Sequence, residues 1–288
     1  MKFVTFTWNG QELPGVLSTD SLRIHPLEGW NSLVDFISDY DEGGRAAALE
    51  LEKKDGGIPL GDVRLEAPIP HPKHGILCAG LNYASHAVEI AKSLGREYKA
   101  PEHATYFIKR VDRAVGPGGD IPSHSCITQK LDYEVELAVI IGKLCKSVDI
   151  RDVPNYIFGY TVSNDVSARD LQNERGAQWT LGKILDGFAP MGPWIVTKDE
   201  VPFPPALRIS SRVNGEPRQD SNTSNFIFDI PYLVSELSQG ITLEPGDIIM
   251  TGTPSGVGLG LTPPKFLRPG DVVECEIEGI GLLKNHVK

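Results

Sequence analysis

Between Leu131 and Gly142 the chain alternates: Tyr133, Val135, Leu137, Val139 and Ile141 are apolar, and Asp132, Glu134 and Glu136 fall between them. A period of two predicts a half-buried strand with three carboxylates on the face opposite the apolar one. Neighbouring carboxylates on such a face start roughly 7 Å apart at the backbone. Their side chains can converge, and like charges then repel unless a cation or a proton intervenes. The same face continues into Ala138 and Ile140, so the charges need not meet solvent. A hard divalent cation with oxygen ligands, Mg²⁺ or Mn²⁺, answers this pattern. A solvent-facing acidic edge is the alternative.

Residues 1–67 read as a small α/β unit. It contains a strand at Lys2–Trp8, an Asn9-Gly10 turn, a short strand at 14–17, a helix at 32–40 and a charged segment at 45–54. Pro68, Pro70 and Pro72 make a stiff connector, which places a domain boundary between 1–67 and 68–288. Residues 76–81 then read as a buried strand, and Asn82 as the N-cap of a helix carrying His86 and Glu89. Three residues apart, these two share a helical face. A carboxylate beside an imidazole raises its basicity and sets its tautomer, as a general base requires; an ordinary surface pair is the alternative. The polar stretch 92–103 suits a lid.

Further along, residues 158–166 predict a strand with Asp165 near its end, either as a ligand or as a helix cap. Lys183 lies among glycines and aromatics, where it can stabilise developing negative charge. The chain then turns mostly β, with strand pieces at 195–197, 207–213 and 225–229, a hairpin turn at Asn214-Gly215 and a short helix at 231–237. Leu-x-Pro-Gly-Asp occurs at 243–247 and again at 267–271, each a type II turn entering a strand. Between them, residues 251–258 form a glycine-rich loop whose N–H groups near Gly252 and Thr253 can hold a substrate carboxylate. It has no Walker lysine, which argues against nucleotide.

Composition narrows the class. The chain has 288 residues, 40% of them hydrophobic, and a net charge of −10. That describes a globular protein and argues against nucleic-acid or anionic-membrane partners. No apolar run reaches the ~18 residues of a membrane span, and the N-terminus reads as a strand, not a signal sequence. Cys78, Cys126, Cys145 and Cys275 are scattered, which fits free thiols in a reducing cytoplasm.

In their order, these motifs resemble the fumarylacetoacetate hydrolase family, from about residue 73 to the C-terminus. The matching segments are Asp132-Tyr133-Glu134-x-Glu136-Leu137, Asn164-Asp165-Val166-Ser167-Ala168-Arg169-Asp170-Leu171-Gln172, Gly182-Lys183 with Asp186-Gly187-Phe188, and Thr251-Gly252-Thr253-Pro254-x-Gly256-Val257-Gly258. The resemblance implies an α+β, mostly β fold: a mixed β-sandwich roll with a small N-terminal α/β domain. It also implies a homodimer, and Glu134, Glu136 and Asp165 as ligands of Mg²⁺ (or Mn²⁺). Asn82-Tyr83-x-x-His86-Ala87-x-Glu89 is similar to the lid helix of the shorter, acylpyruvase-like members, where the His–Glu pair activates water. Arg169 and Gln172 match positions that face substrate, although Arg169 also admits a structural role. Where the family often has Lys-Pro and small polar residues, this chain has Lys109-Arg110-Val111-Asp112, which adds charge at the expected substrate rim.

The resemblance points first to Mg²⁺-dependent hydrolysis of a C–C bond in a β-diketo acid of the acylpyruvate type. His86 and Glu89 would act on water, Lys183 would steady the enolate, and Gly252 and Thr253 would anchor the carboxylate. The alternative on the same site is oxaloacetate decarboxylation or keto–enol tautomerisation, or isomerase or hydratase chemistry on keto acids of aromatic catabolism. A non-catalytic keto-acid binder is the contrasting class, and the complete acidic set with a base argues against it.

Overall fold

The structure is a computed structural model that describes residues 1–176 and 178–288, Glu42 by its backbone alone. Its centre is an 11-stranded sheet. From its middle to one edge run Lys2–Trp8, Met191–Thr197, Ile157–Asn164, Val135–Ile141, Ile248–Met250, Ile76–Gly80 and, as the edge strand, Thr105–Lys109. Neighbours in this run are antiparallel except Ile248–Met250 beside Ile76–Gly80. A five-stranded sheet, from the Glu216–Asn222 edge through Arg208–Val213, Val272–Ile277 and Gly281–Val287 to Asp120–Ile121, packs against one face of the central strands. This is the mostly β, mixed-sheet α+β fold that the sequence predicts.

The acidic segment is broken where the chemistry lies. Leu131–Asp132 pairs with Ser167–Ala168, and Val135–Ile141 pairs with Ile157–Asn164 and Ile248–Met250, leaving Tyr133 and Glu134 between two strand pieces. The expectation of a half-buried strand is corrected, because every residue of Val135–Ile141 is buried. Val135, Leu137, Val139 and Ile141 join a core with Ile209, Val273, Cys275 and Leu283 of the second sheet. On the other side, Ala138 and Ile140 join a second core with Phe3, Phe36, Phe158 and Met250. Both faces are covered, so Glu136 must be satisfied inside the protein.

The N-terminal residues extend this sheet. Phe3 pairs with Ile195, while Val4, Phe6, Leu17 and Ile24 form a cluster of their own. Asn9-Gly10 turns the chain with both residues at positive φ, as a two-residue turn between antiparallel strands requires. The charged segment forms a helix, Gly44–Glu52, and the region at 225–229 forms no strand but leads into the helix Ile230–Gly240, capped by Asp229 on the Tyr232 amide. The four cysteines are free. No described helix is long and apolar enough to cross a membrane.

Candidate metal centre

Strand register brings the acids together. Val135 lies opposite Asn164; beyond that pair the Asp165 amide donates to the Glu134 carbonyl at 2.8 Å, and the Glu134 amide donates to Asn164 Oδ1 at 2.9 Å. Two segments about thirty residues apart are thus zipped at the point where each carries a carboxylate. Glu136 follows one strand step later. Oxygens of Glu134, Glu136 and Asp165 all lie within 4.8 Å of one another, and all three residues are buried. Asp165 is not a helix cap, since Ala168 holds that position for Arg169–Asn173.

Buried cations surround two of the three. Lys183 Nζ bridges Glu134 Oε2 at 2.7 Å and Asp165 Oδ2 at 2.6 Å. It reaches them because Gly182 lets its turn sit against the helix Arg169–Asn173; a Cβ there would come within 2.7 Å of the Ala168 carbonyl and the Gln172 amide. Lys109 Nζ donates to Asp165 Oδ1 and to the Val166 carbonyl. Arg169 donates from Nη2 to Glu134 Oε1 at 2.6 Å, from Nε to Asp132 Oδ2 at 2.8 Å and from Nη1 to Gln172 Oε1 at 3.0 Å.

Burial alone would push the Glu134 carboxyl up, but the charges of Arg169, Lys183 and His86 hold it well below the usual carboxylate range. Burial likewise works against the Lys183 ammonium, and Asp165 and Glu134 reverse it, raising its pKa. Glu136 differs: it makes no ion pair among the described residues and accepts only the Gly252 amide, at 2.7 Å. Burial, then the charges of Asp165 and Glu134, push its carboxyl well above the usual range.

The acids open into a cavity of about 380 Å³. Its roof is the helix Ala84–Ser93 with Leu94, Arg96, Tyr98 and Lys99 of the polar stretch after it, and Phe107 and Trp179 form a wall. His86 is buried in that roof; Nε2 faces Glu134 Oε1 at 3.8 Å and Nδ1 meets Glu89 Oε2 at 3.2 Å.

A family model described as "Fumarylacetoacetate (FAA) hydrolase C-terminal" matches residues 75–288. The chain belongs to this family. Its relatives include the oxaloacetate tautomerase YisK of Bacillus subtilis, 49% identical over 228 residues that span 79% of this chain and 74% of the relative. The mitochondrial oxaloacetate tautomerase Fahd2a of Rattus norvegicus is 45% identical over 245 residues, 84% of this chain and 74% of the relative. Among solved structures, the fumarylacetoacetate hydrolase of Exiguobacterium antarcticum superposes with a TM-score of 0.83 at 39% identity, covering 100% of this chain and 99% of that one.

This fumarylacetoacetate hydrolase family enzyme has a donor set that fits a hard cation. Three oxygen ligands converge, and four buried acids (Asp132, Glu134, Glu136, Asp165) face three buried cations (Lys109, Arg169, Lys183), with Glu136 left over.

Several expectations change in detail. Asp132 does not join the converging acids; it accepts from Arg169 and from the Gly258 and Leu259 amides. Asn82 caps no helix. Its side chain instead joins Thr251 and Phe228 through three hydrogen bonds to main-chain groups, and Tyr83 takes the cap position. Gly252 does not offer its N–H to a substrate, because that N–H is engaged with Glu136. Thr253 lines the cavity, but its hydroxyl donates to the Val135 carbonyl and accepts from Gln219. Arg169 and Gln172 also line the cavity, bonded to each other.

Lys109 is the residue that the sequence reading missed, having counted it as rim charge; it is fully buried against Asp165. The available signal was the alternation of its strand, which puts Lys109 on the same face as Phe107.

Proposed function

We propose that this chain is a Mg²⁺- or Mn²⁺-dependent keto–enol tautomerase of oxaloacetate or a closely similar 2-keto diacid. The observation that carries the reading is the orientation of His86, whose one ring nitrogen is held by Glu89 while the other faces the acidic centre. The names of the two tautomerase relatives support it.

Tautomerisation breaks a C3–H bond and forms an O–H bond on the same molecule, with no attacking water. Glu134, Glu136 and Asp165 would hold the divalent cation, which when bound would supply Lewis-acid polarisation of a keto acid. His86 Nε2 takes the proton from carbon, and Glu89 at Nδ1 steadies the imidazolium until the proton is returned to oxygen. Lys183 and Arg169 keep the ligand carboxylates ionised and in place. Phe107 and Trp179 shield this exchange from bulk water on one side.

A second reading is C–C bond hydrolysis of an acylpyruvate. The cavity favours it, being roomier than a four-carbon diacid needs, and the same dyad can take a proton from water. The homodimer expected from the resemblance, and the division at residues 67 and 68, are further proposals, tested by light scattering and by limited proteolysis.

The deciding experiment follows the ultraviolet absorbance of enol-oxaloacetate with purified protein, and acetylpyruvate in parallel, with Mg²⁺ or a chelator. The expected result is accelerated enol–keto conversion, lost with chelator and lowered about 10²–10⁴-fold in His86→Ala. Hydrolysis of acetylpyruvate alone would move the assignment to the second reading, and inactivity on both would overturn the two together.

A further inference from the structure

The glycine-rich loop was expected to cradle substrate, yet its amides point at the protein's own carboxylates. Gly252 donates to Glu136 Oε2 at 2.7 Å, and Gly256 donates to Glu89 Oε1 at 2.9 Å. Gly258 and Leu259 donate to the two oxygens of Asp132 at 2.7 and 3.0 Å. One short loop therefore touches a candidate metal ligand, the carboxylate of the His86–Glu89 dyad, and the acid that orients Arg169. Tyr133, next to Glu134, fastens the middle of the loop by donating its hydroxyl to the Gly256 carbonyl at 2.9 Å.

Glu89 is gripped at both oxygens. Oε1 takes the Gly256 amide and Oε2 meets His86 Nδ1 at 3.2 Å, so its position sets that of the imidazole. The carboxylate also rests directly on Gly260, where a Cβ would lie 2.1 Å from Glu89 Cδ and 2.2 Å from Oε1. Gly260 has no left-handed φ, so its backbone accepts alanine. The obstacle is the end of a flexible side chain, which can swing away without breaking the fold. Gly256 is different: its φ is +105° and a Cβ would meet the Arg218 carbonyl at 2.0 Å, so it is a poor probe.

We propose that the loop at 252–260 is a positioning device that registers the dyad on the roof helix against the acidic centre, with Gly260 as the positioning residue for Glu89. This rests on the reading of His86 and Glu89 as the proton-transfer pair. The bare Cα of Gly260 leaves room for the carboxylate where it reaches both the loop and His86.

The test is a double-mutant cycle of wild type, Gly260→Ala, Glu89→Ala and the double variant, measured with Mg²⁺ on the substrate the enzyme turns over. Gly260→Ala is expected to lower kcat about 10²-fold, the cost of a misplacement near 1 Å, with KM and calorimetric Mn²⁺ affinity unchanged. In the Glu89→Ala background it should cost nothing further, because the group it displaces is gone. Tyr133→Phe, which loosens the loop without adding bulk, should lower kcat in the same direction and be silent when Glu89 is absent.

Losses that add across the cycle, or that arise through KM or metal affinity, would overturn the proposal. Thermal melting of the same four proteins separates it from the function reading. If no substrate is turned over, the function reading fails, and a Gly260→Ala penalty that vanishes without Glu89 still supports the contact. A melting penalty equal in both backgrounds would refute it.

Discussion

Glu136 accepts the Gly252 amide at 2.7 Å and has no cation of its own among the described residues, although two further carboxylates stand beside it. In the metal-free protein its pKa is raised, so the folded state favours the protonated form. The stability that this group contributes is present below its unfolded pKa, about 4.3, and is lost as pH rises through the folded value. A bound dication needs the ionised form and displaces the proton. Stabilisation by Mg²⁺ should therefore grow with pH. Thermal melts with and without chelator should differ more at about pH 8 than at about pH 5; at a hundredfold excess over Kd the gain is about 2.7 kcal/mol. A gap independent of pH would count against Glu136 as a ligand.

Asp165 is held by Lys109 and Lys183 together. Lys109→Met keeps the bulk but removes one buried positive charge, leaving an acid whose desolvation is only partly offset. We expect loss of stability of about 1–3 kcal/mol, partly restored by saturating Mg²⁺, because the dication replaces the missing charge. Chemical denaturation with and without metal measures both. An equal deficit under the two conditions would place Lys109 outside the metal's electrostatic reach.

Arg169 links Asp132, Glu134 and Gln172 through three donors. Lysine has the charge but not the planar fork, so a single Nζ at this position cannot reproduce the three diverging donors to Asp132, Glu134 and Gln172. Arg169→Lys should lower kcat on the order of 10²-fold through misplacement of Glu134. Arg169→Met, which leaves Asp132 buried with no cation, should also cost about 3–5 kcal/mol of folding free energy. Steady-state kinetics and denaturant melts of the two variants separate these effects.

Gly159 pairs with Thr197 in the centre of the large sheet, and a Cβ there would lie 2.2 Å from the Val196 carbonyl. That oxygen belongs to a paired strand and cannot move alone. Gly159→Ala should destabilise the fold by about 1–3 kcal/mol, seen as a lower denaturant midpoint. An unchanged midpoint would mean that the strands yield more easily than their pairing suggests.

Much of the site was legible because its signals are local. Alternation around Glu134 and Glu136, the three-residue step from His86 to Glu89, and Asp165 at a strand end each involve a few neighbouring positions with a fixed period. The Asn214-Gly215 turn is equally local, and both residues have positive φ. Lys109 was misread for the opposite reason: a charged residue has the same letter whether it is solvated at a rim or buried against a partner. Gly252 was misread because a free amide and one already engaged by a distant carboxylate look identical in sequence.

By itself, the sequence determined the periodicities, the turns, the inventory of acids and bases, and a motif order specific enough to indicate the family. The tertiary structure alone decided which charges meet. Lys109 and Asp165 are 56 positions apart, and Glu89 and Gly256 are 167 apart. No backbone period extends over such separations. Those partners are chosen by strand register and by the packing of two apolar cores, which bury the charged groups together and make their pairing obligatory.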